Sequence, residues 1–182
     1  MKRICITSLI SVLILFAIQS CGEMSKPEMT PVQYNDFIIV NQTKVIQKFI
    51  DLSKTFDKHI PKEIDEQFNL LQIQVDSAVA STSTLSNFKG NSEFKDAALK
   101  LFQFYQDGLK NDYKQMIEIL KKGPEGMNAE TMKKMTDLSQ SFDTKEKVLN
   151  DAFIKAQNNF ATQFKIEIKP NQLQKELDKM GN

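Results

Sequence analysis

Four long stretches of the chain carry apolar side chains at helical spacing, separated by short polar breaks. The first ribbon reads Tyr34, Ile38, Val45, Phe49, Leu52 and Phe56, in steps of three, four or seven residues that place them on one helix face. It opens at Thr30-Pro31-Val32-Gln33, where Thr30 is a cap, Pro31 suits the first helical position and Gln33 completes a capping box. Asn41 and Gln42 interrupt this ribbon. The second ribbon starts near Pro61 and runs through Ile64, Phe68, Leu71, Val75, Ala78 and Leu85. It weakens at Ser81-Thr82-Ser83-Thr84, whose hydroxyls compete for backbone carbonyls. Asn41, Gln42 and Thr82 either help to fix helix register or sit at the core edge and reach water.

Asn87 to Ser92 reads as the middle connection, after which Phe94, Ala98, Leu101, Tyr105, Leu109, Tyr113, Met116 and Leu120 form a third ribbon. Lys121-Lys122-Gly123-Pro124 then gives the clearest stop: cations at the negative end of the dipole, Gly for a left-handed C′ position, and a Pro that cannot continue. Asn128 caps the fourth segment, with Met132, Met135, Leu138, Phe142, Leu149, Phe153, Ala156 and Phe160 on its ribbon and an end expected by Phe164. Asn171 to Met180 suits a short peripheral helix. Long amphipathic helices with short connections make successive helices antiparallel neighbours. The expected fold is therefore all-α, an antiparallel up-down four-helix bundle over residues 31–182 with a short C-terminal tail.

The amino terminus follows another pattern. Lys2 and Arg3 precede an apolar run from Ile4 to Ile18, and Gln19-Ser20-Cys21-Gly22 follows at once, the order of a secretory signal peptide. The run is about 15 residues and is interrupted by Thr7, Ser8 and Ser11, short of the roughly 20 that a permanent span needs. Ile18-Gln19-Ser20-Cys21 resembles a bacterial lipobox, in which the Cys thiol receives diacylglycerol and the new amino terminus is acylated, commonly with palmitate. Residues 1–20 are then a cleaved signal, Cys21 the lipid attachment site, and 21–30 a tether. An ordinary secretory signal and an uncleaved anchor are the plainer alternatives. Cys5 and Cys21 are the two cysteines, so the body holds none for a disulfide or a metal cluster. Gly22 is not the Asp that marks inner-membrane retention in enteric bacteria, which favours the outer membrane; the periplasmic or surface-exposed face is undetermined.

Charge narrows the partners. The chain has 24 basic and 23 acidic side chains, and losing Lys2 and Arg3 leaves a mature charge of about −1. An evenly mixed surface is expected to carry no basic stripe or patch of the kind nucleic acid demands, so no nucleic-acid partner is expected, and the membrane hold comes from the lipid rather than a polybasic clamp. His59 is the single histidine, and no His-x-x-x-His, Glu-x-x-His or Cys-x-x-Cys pattern offers a metal site. The cofactor expectation is none. Met127, Met132 and Met135 read as core filling, with a sticky lip as the alternative. Glu63/Glu66 and Asp107/Asp112 read as solvated helix faces, and no nucleophile elbow, phosphate loop or dinucleotide fingerprint occurs. The sequence points away from an enzyme.

Tyr34-Asn35-Asp36 with Ile39-Val40 and Gln42, Phe88-Lys89-Gly90 leading into Phe94-Lys95-Asp96-Ala97-Ala98 and Phe104-Tyr105, and Ala156-Gln157 with Phe160-Ala161 run through most of the mature chain. Together they resemble a family of helical surface lipoproteins of leptospires and Bacteroidota that has no assigned activity. The resemblance implies an envelope location. Tyr34, Asn35 and Asp36 are the candidate interaction edge, with a packed Tyr at a helix start as the structural alternative. The functional expectation is a membrane-anchored, monomeric binding or scaffolding module of the bacterial envelope, meeting an envelope or extracellular macromolecule. The alternative is a carrier or sensor holding an apolar small molecule among Phe68, Phe102, Phe142 and Phe153.

Overall fold

Thr30 starts the first helix as a reciprocal cap: its Oγ1 accepts from the Gln33 amide at 3.2 Å, while Gln33 Oε1 accepts from the Thr30 amide at 2.8 Å. Both bonds satisfy amides that the first turn otherwise leaves orphaned. The computed structural model describes residues 28–168, so Cys21, its signal and tether, and the segment from Asn171 to Met180 lie outside the described residues. Helix α1 spans Pro31–Ser53, α2 Pro61–Ser83, α3 Glu93–Lys110, α4 Asp112–Leu120 and α5 Ala129–Phe164. The described chain is all-α.

Each helix end has a local cause. After α1, a 3-10 turn at Phe56–Lys58 leads to His59, exposed and left-handed with φ of 51°, and Pro61 takes the first position of α2. At the end of α2, Ser83 Oγ donates to the Ala80 carbonyl at 2.8 Å and Thr84 Oγ1 to the Ser81 carbonyl at 3.0 Å, the hydroxyl competition that the Ser/Thr run predicts. Phe88 and Asn91 then exchange backbone bonds of 3.0 and 2.8 Å around Lys89 and Gly90, with φ of 47° and 82°. Two consecutive positive φ values define a type I′ turn, which favours Gly. Asn128 caps α5 through the Thr131 amide at 3.0 Å, and α5 ends at Phe164, where Lys165 turns left-handed with φ of 53°.

The third ribbon departs from the expected single helix. It is two helices, broken at Asn111, whose ψ of −89° leaves the helical region. The cause is a substitution of donors: Asn111 Nδ2 donates to the Asp107 carbonyl at 2.8 Å, taking the place of the backbone amide, which bonds Gly108 at 3.2 Å instead. Gly123 supplies a positive φ of 64° as expected, but with ψ of −161° it is not in the left-handed helical region, and a 3-10 turn at Pro124–Gly126 follows.

Successive helices pack on one another: α1 on α2, α2 on α3, α3 on α5, with α4 wedged against α3 and α5 and lesser contacts from α1 to α3 and α5. Helices α3 and α5 run in opposite senses, since Asn159 reaches Glu93 at 2.7 Å and Glu146 accepts from Tyr105 at 2.8 Å. Two clusters of aromatic rings lie along these helices within one hydrophobic core. Phe94 packs on Phe153 and Phe160 at 5.4 and 5.5 Å between ring centroids, and Phe142 packs on Phe104 at 4.8 Å and Tyr113 at 5.6 Å. Asn41, Gln42 and Thr82 lie inside; Asn41 Nδ2 bonds the Phe37 carbonyl at 3.0 Å, and the Thr82 hydroxyl has no protein partner. Burial along α5 begins only at Phe142. Met132, expected in the core, is 58% exposed, and Met127 and Met135 are half-buried, because α4 alone is too short to cover the first turns of α5.

Candidate functional site

Tyr34, Asn35 and Asp36 lie in the first two turns of α1, where two other chain segments converge. The Tyr34 ring lies 5.1 Å from Phe88 and 5.4 Å from Phe160, and its hydroxyl donates to the Ser86 carbonyl at 3.1 Å. Burial, followed by the charge of Asp96, pushes the Tyr34 pKa up to about 12. Asn35 is also buried. Its Oδ1 accepts from Gln157 Nε2 at 2.9 Å and its Nδ2 donates to Asp36 Oδ1 at 3.1 Å. Tyr34 and Asn35 thus join α1 to the 84–92 connection and to α5, and the Asp36 carboxylate is what this triplet offers to solvent.

The opposite end of the molecule carries a different arrangement. A groove of about 430 Å³ runs along the break between α3 and α4 and past the second turn of α5. Lys110, Lys114, Lys122 and Lys134 line it, with the amides of Asn111 and Gln115 between them. Buried Ile119 contributes to its wall. All four lysines are exposed, and none has an ion-pair partner among the described residues. The groove's one carboxylate, Glu118, is neutralised by Lys121 at 3.2 Å, and Lys121 also holds Asp65 at 2.8 Å. Those carboxylates hold the Lys121 ammonium above the ordinary lysine range, with the Asp65 hydrogen bond the largest cause.

In the sequence Lys122 reads as a cation at a helix end, and nothing connects it with Lys110, Lys114 or Lys134, because 24 positions separate the first of the four from the last. The fold places them around the Asn111 break. A second groove of about 200 Å³ lies between α2 and α3, lined by Asn69, Gln72, Ile73, Asp76, Gln106 and neighbouring residues. Neither groove is lined by Phe68, Phe102, Phe142 or Phe153, all four of which are buried among other side chains. Among the described residues no three potential ligands gather to hold a metal ion. No described helix is long and apolar enough to cross a membrane. No family model, curated protein or solved structure matches the chain.

Proposed function

We propose that the protein is a lipid-anchored binding module of the bacterial envelope, monomeric and without catalytic turnover, held at Cys21 and presenting a helical body to an envelope or extracellular macromolecule. In this reading α1, α2, α3 with α4, and α5 are the four legs of an antiparallel up-down bundle, the third leg bent at Asn111. The lipobox-like Ile18-Gln19-Ser20-Cys21 carries the proposal, because it stands directly behind a charged and apolar leader and only nine residues ahead of Thr30. Nine residues span at most about 30 Å when extended, so the body stays close to its bilayer. Gly22 favours the outer membrane, and the family resemblance favours an envelope location.

The buried aromatic core supports binding at the surface over carriage of an apolar ligand within, since Phe68, Phe102, Phe142 and Phe153, which would line an interior pocket, are buried among other core side chains and line neither groove. The test is mass spectrometry of the amino-terminal peptide with fractionation of cells. A diacylated Cys21, membrane partition, and release of Cys21→Ser from the membrane are expected. Retained Met1 or an unmodified Cys21 overturns the anchor, and a stoichiometric apolar ligand copurifying with the protein overturns the surface-binding reading.

A further inference from the structure

Two of the four groove lysines have a local reason for their positions and two do not. Lys110 ends α3 and Lys122 follows the end of α4, where the helix dipole favours a cation. Lys114 lies in the first turn of α4, where the same dipole disfavours one, and Lys134 lies in the second turn of α5 with no carboxylate partner. Four exposed ammonium groups line one concavity without an ion-pair partner among the described residues, and an anionic ligand is complementary to them. The groove's shape and chemistry narrow that ligand. Gln115 and Asn111, the latter with its Nδ2 already donating to the Asp107 carbonyl, add amide groups to the lining, suited to hydroxyl groups. No aromatic ring lines the groove, so the stacking platform that single-stranded nucleic acid uses is missing from it.

Its location narrows the ligand further, on the reading that Cys21 anchors the chain. The tether enters at Pro31, beside Tyr34, Phe88 and Phe160, whereas the groove begins where α3 ends. The 18 residues of α3 separate these two ends by about 27 Å at 1.5 Å per residue. The groove therefore lies at the end of the body remote from where the tether joins it.

We infer that the Lys110–Lys114–Lys122–Lys134 groove binds an acidic polysaccharide, whose carboxylate, sulfate or phosphate groups meet the ammonium groups while its hydroxyls meet Asn111 and Gln115. Binding is electrostatic and falls with salt, as exposed charges are screened beyond about 8 to 10 Å near physiological ionic strength.

The full lipidated chain in detergent micelles is titrated with polygalacturonate and dextran sulfate, and in parallel with phosphatidylglycerol vesicles and single-stranded DNA. The paired variant Lys114→Gln/Lys134→Gln should lose roughly tenfold in polysaccharide affinity, the sum of two partly exposed ion contacts. Lys58→Gln/Lys147→Gln, which removes the same charge elsewhere, should lose little. Circular dichroism confirms that both variants are folded. Equal losses in the two variants reduce the effect to net charge and overturn the site. Tighter groove-dependent binding to vesicles or to DNA overturns the polysaccharide assignment. Cys21→Ser separates this inference from the anchor: it should abolish membrane attachment and leave polygalacturonate binding unchanged, so either reading can fail without the other.

Discussion

Gly108 sits against the edge of Phe142, and replacing it with alanine sets two effects of opposite sign against each other. In an α-helix interior, Gly→Ala stabilises by about 0.5 to 1 kcal/mol because the backbone loses less freedom on folding. At this position a Cβ would stand 2.6 Å from Phe142 Cε2 and 3.2 Å from Cδ2. Carbon atoms settle at about 3.5 to 4.0 Å, so the ring must retreat by roughly 1 Å. It has little room to do so. Phe142 is 8% exposed and flanked by Phe104, Tyr113 and Tyr105, with ring centroids at 4.8, 5.6 and 6.3 Å. Overpacking a filled core costs about 1 to 3 kcal/mol, which exceeds the propensity gain.

Gly108→Ala should therefore destabilise the chain from Ser25 onward by about 1 kcal/mol, lowering Tm by roughly 2 to 4 °C for a domain of this size. Urea and thermal melts of four proteins measure it: parent, Gly108→Ala, Phe142→Leu and the double variant. Phe142→Leu is itself destabilising through the cavity it leaves, and the alanine methyl fills part of that cavity. In the Phe142→Leu background the same alanine should be neutral or stabilising, giving a coupling of about 1 kcal/mol. A Gly108→Ala protein that melts higher than the parent would refute the packing argument, and additive single changes would show that the two residues do not share the contact.

Gln157→Leu alone strands the buried Asn35 Oδ1 and should cost about 1 to 3 kcal/mol, whereas Asn35→Leu/Gln157→Leu should cost less than the sum of its singles; strict additivity in urea midpoints would show that the 2.9 Å bond couples nothing. Phe153→Asp, placing a carboxylate where the side chain is 1% exposed, should cost several kcal/mol or abolish folding, and a melt matching the parent would contradict the α5 register. Glu63→Ala should stay within about 0.5 kcal/mol although Lys58 lies 2.9 Å away, because both partners are largely solvated. Burial and then Asp143 push the Tyr113 pKa up to about 12, as burial and then Asp96 do for Tyr34. A phenol that holds its proton more tightly when folded contributes stability below the ordinary value of 10.0, and that contribution is lost as pH rises from there toward 12. Tm should fall across that window with tyrosinate absorbance rising late, and a flat Tm would show that the phenols ionise equally when unfolded.

Helix ends were legible wherever the deciding chemistry is local. Thr30 with Gln33, Pro61, the hydroxyl run at Ser81–Thr84, Asn128 and the stop at Phe164 each act within a few residues of themselves, and each marks a boundary in the structure. The break at Asn111 was hidden by the ribbon that crosses it. Leu109, Tyr113 and Met116 keep helical spacing, and no Pro intervenes, so periodicity alone continues the helix. The available sign was Asn-Asp three residues after Gly108, since an Asn amide is able to replace a backbone donor. That sign is weak because the same residues occur in helices whose side chains point to water.

The polar residues on the ribbons illustrate the same limit from the inside. Asn35 and Gln157 are 122 positions apart, and nothing local distinguishes a buried pair from two solvated amides until the fold makes them neighbours. The four groove lysines pose the converse problem at the surface. A near-neutral count of 24 basic and 23 acidic residues excludes a strongly basic protein, yet it places no bound on how charge is distributed over the folded surface. One break between two helices is enough to segregate it. The break that ends α3 at Lys110 also starts α4 at Asp112, fixing Lys114 one turn on and leaving the first turns of α5, with Lys134, only partly covered. Straightening that break is therefore a test of the link between core and surface: Asn111→Ala removes the competing amide and should favour a continuous helix. If the groove depends on the break, polygalacturonate binding should weaken more in Asn111→Ala than in Gln115→Ala, which removes one amide contact and leaves the break in place, while equal losses would show that the lysines converge without it.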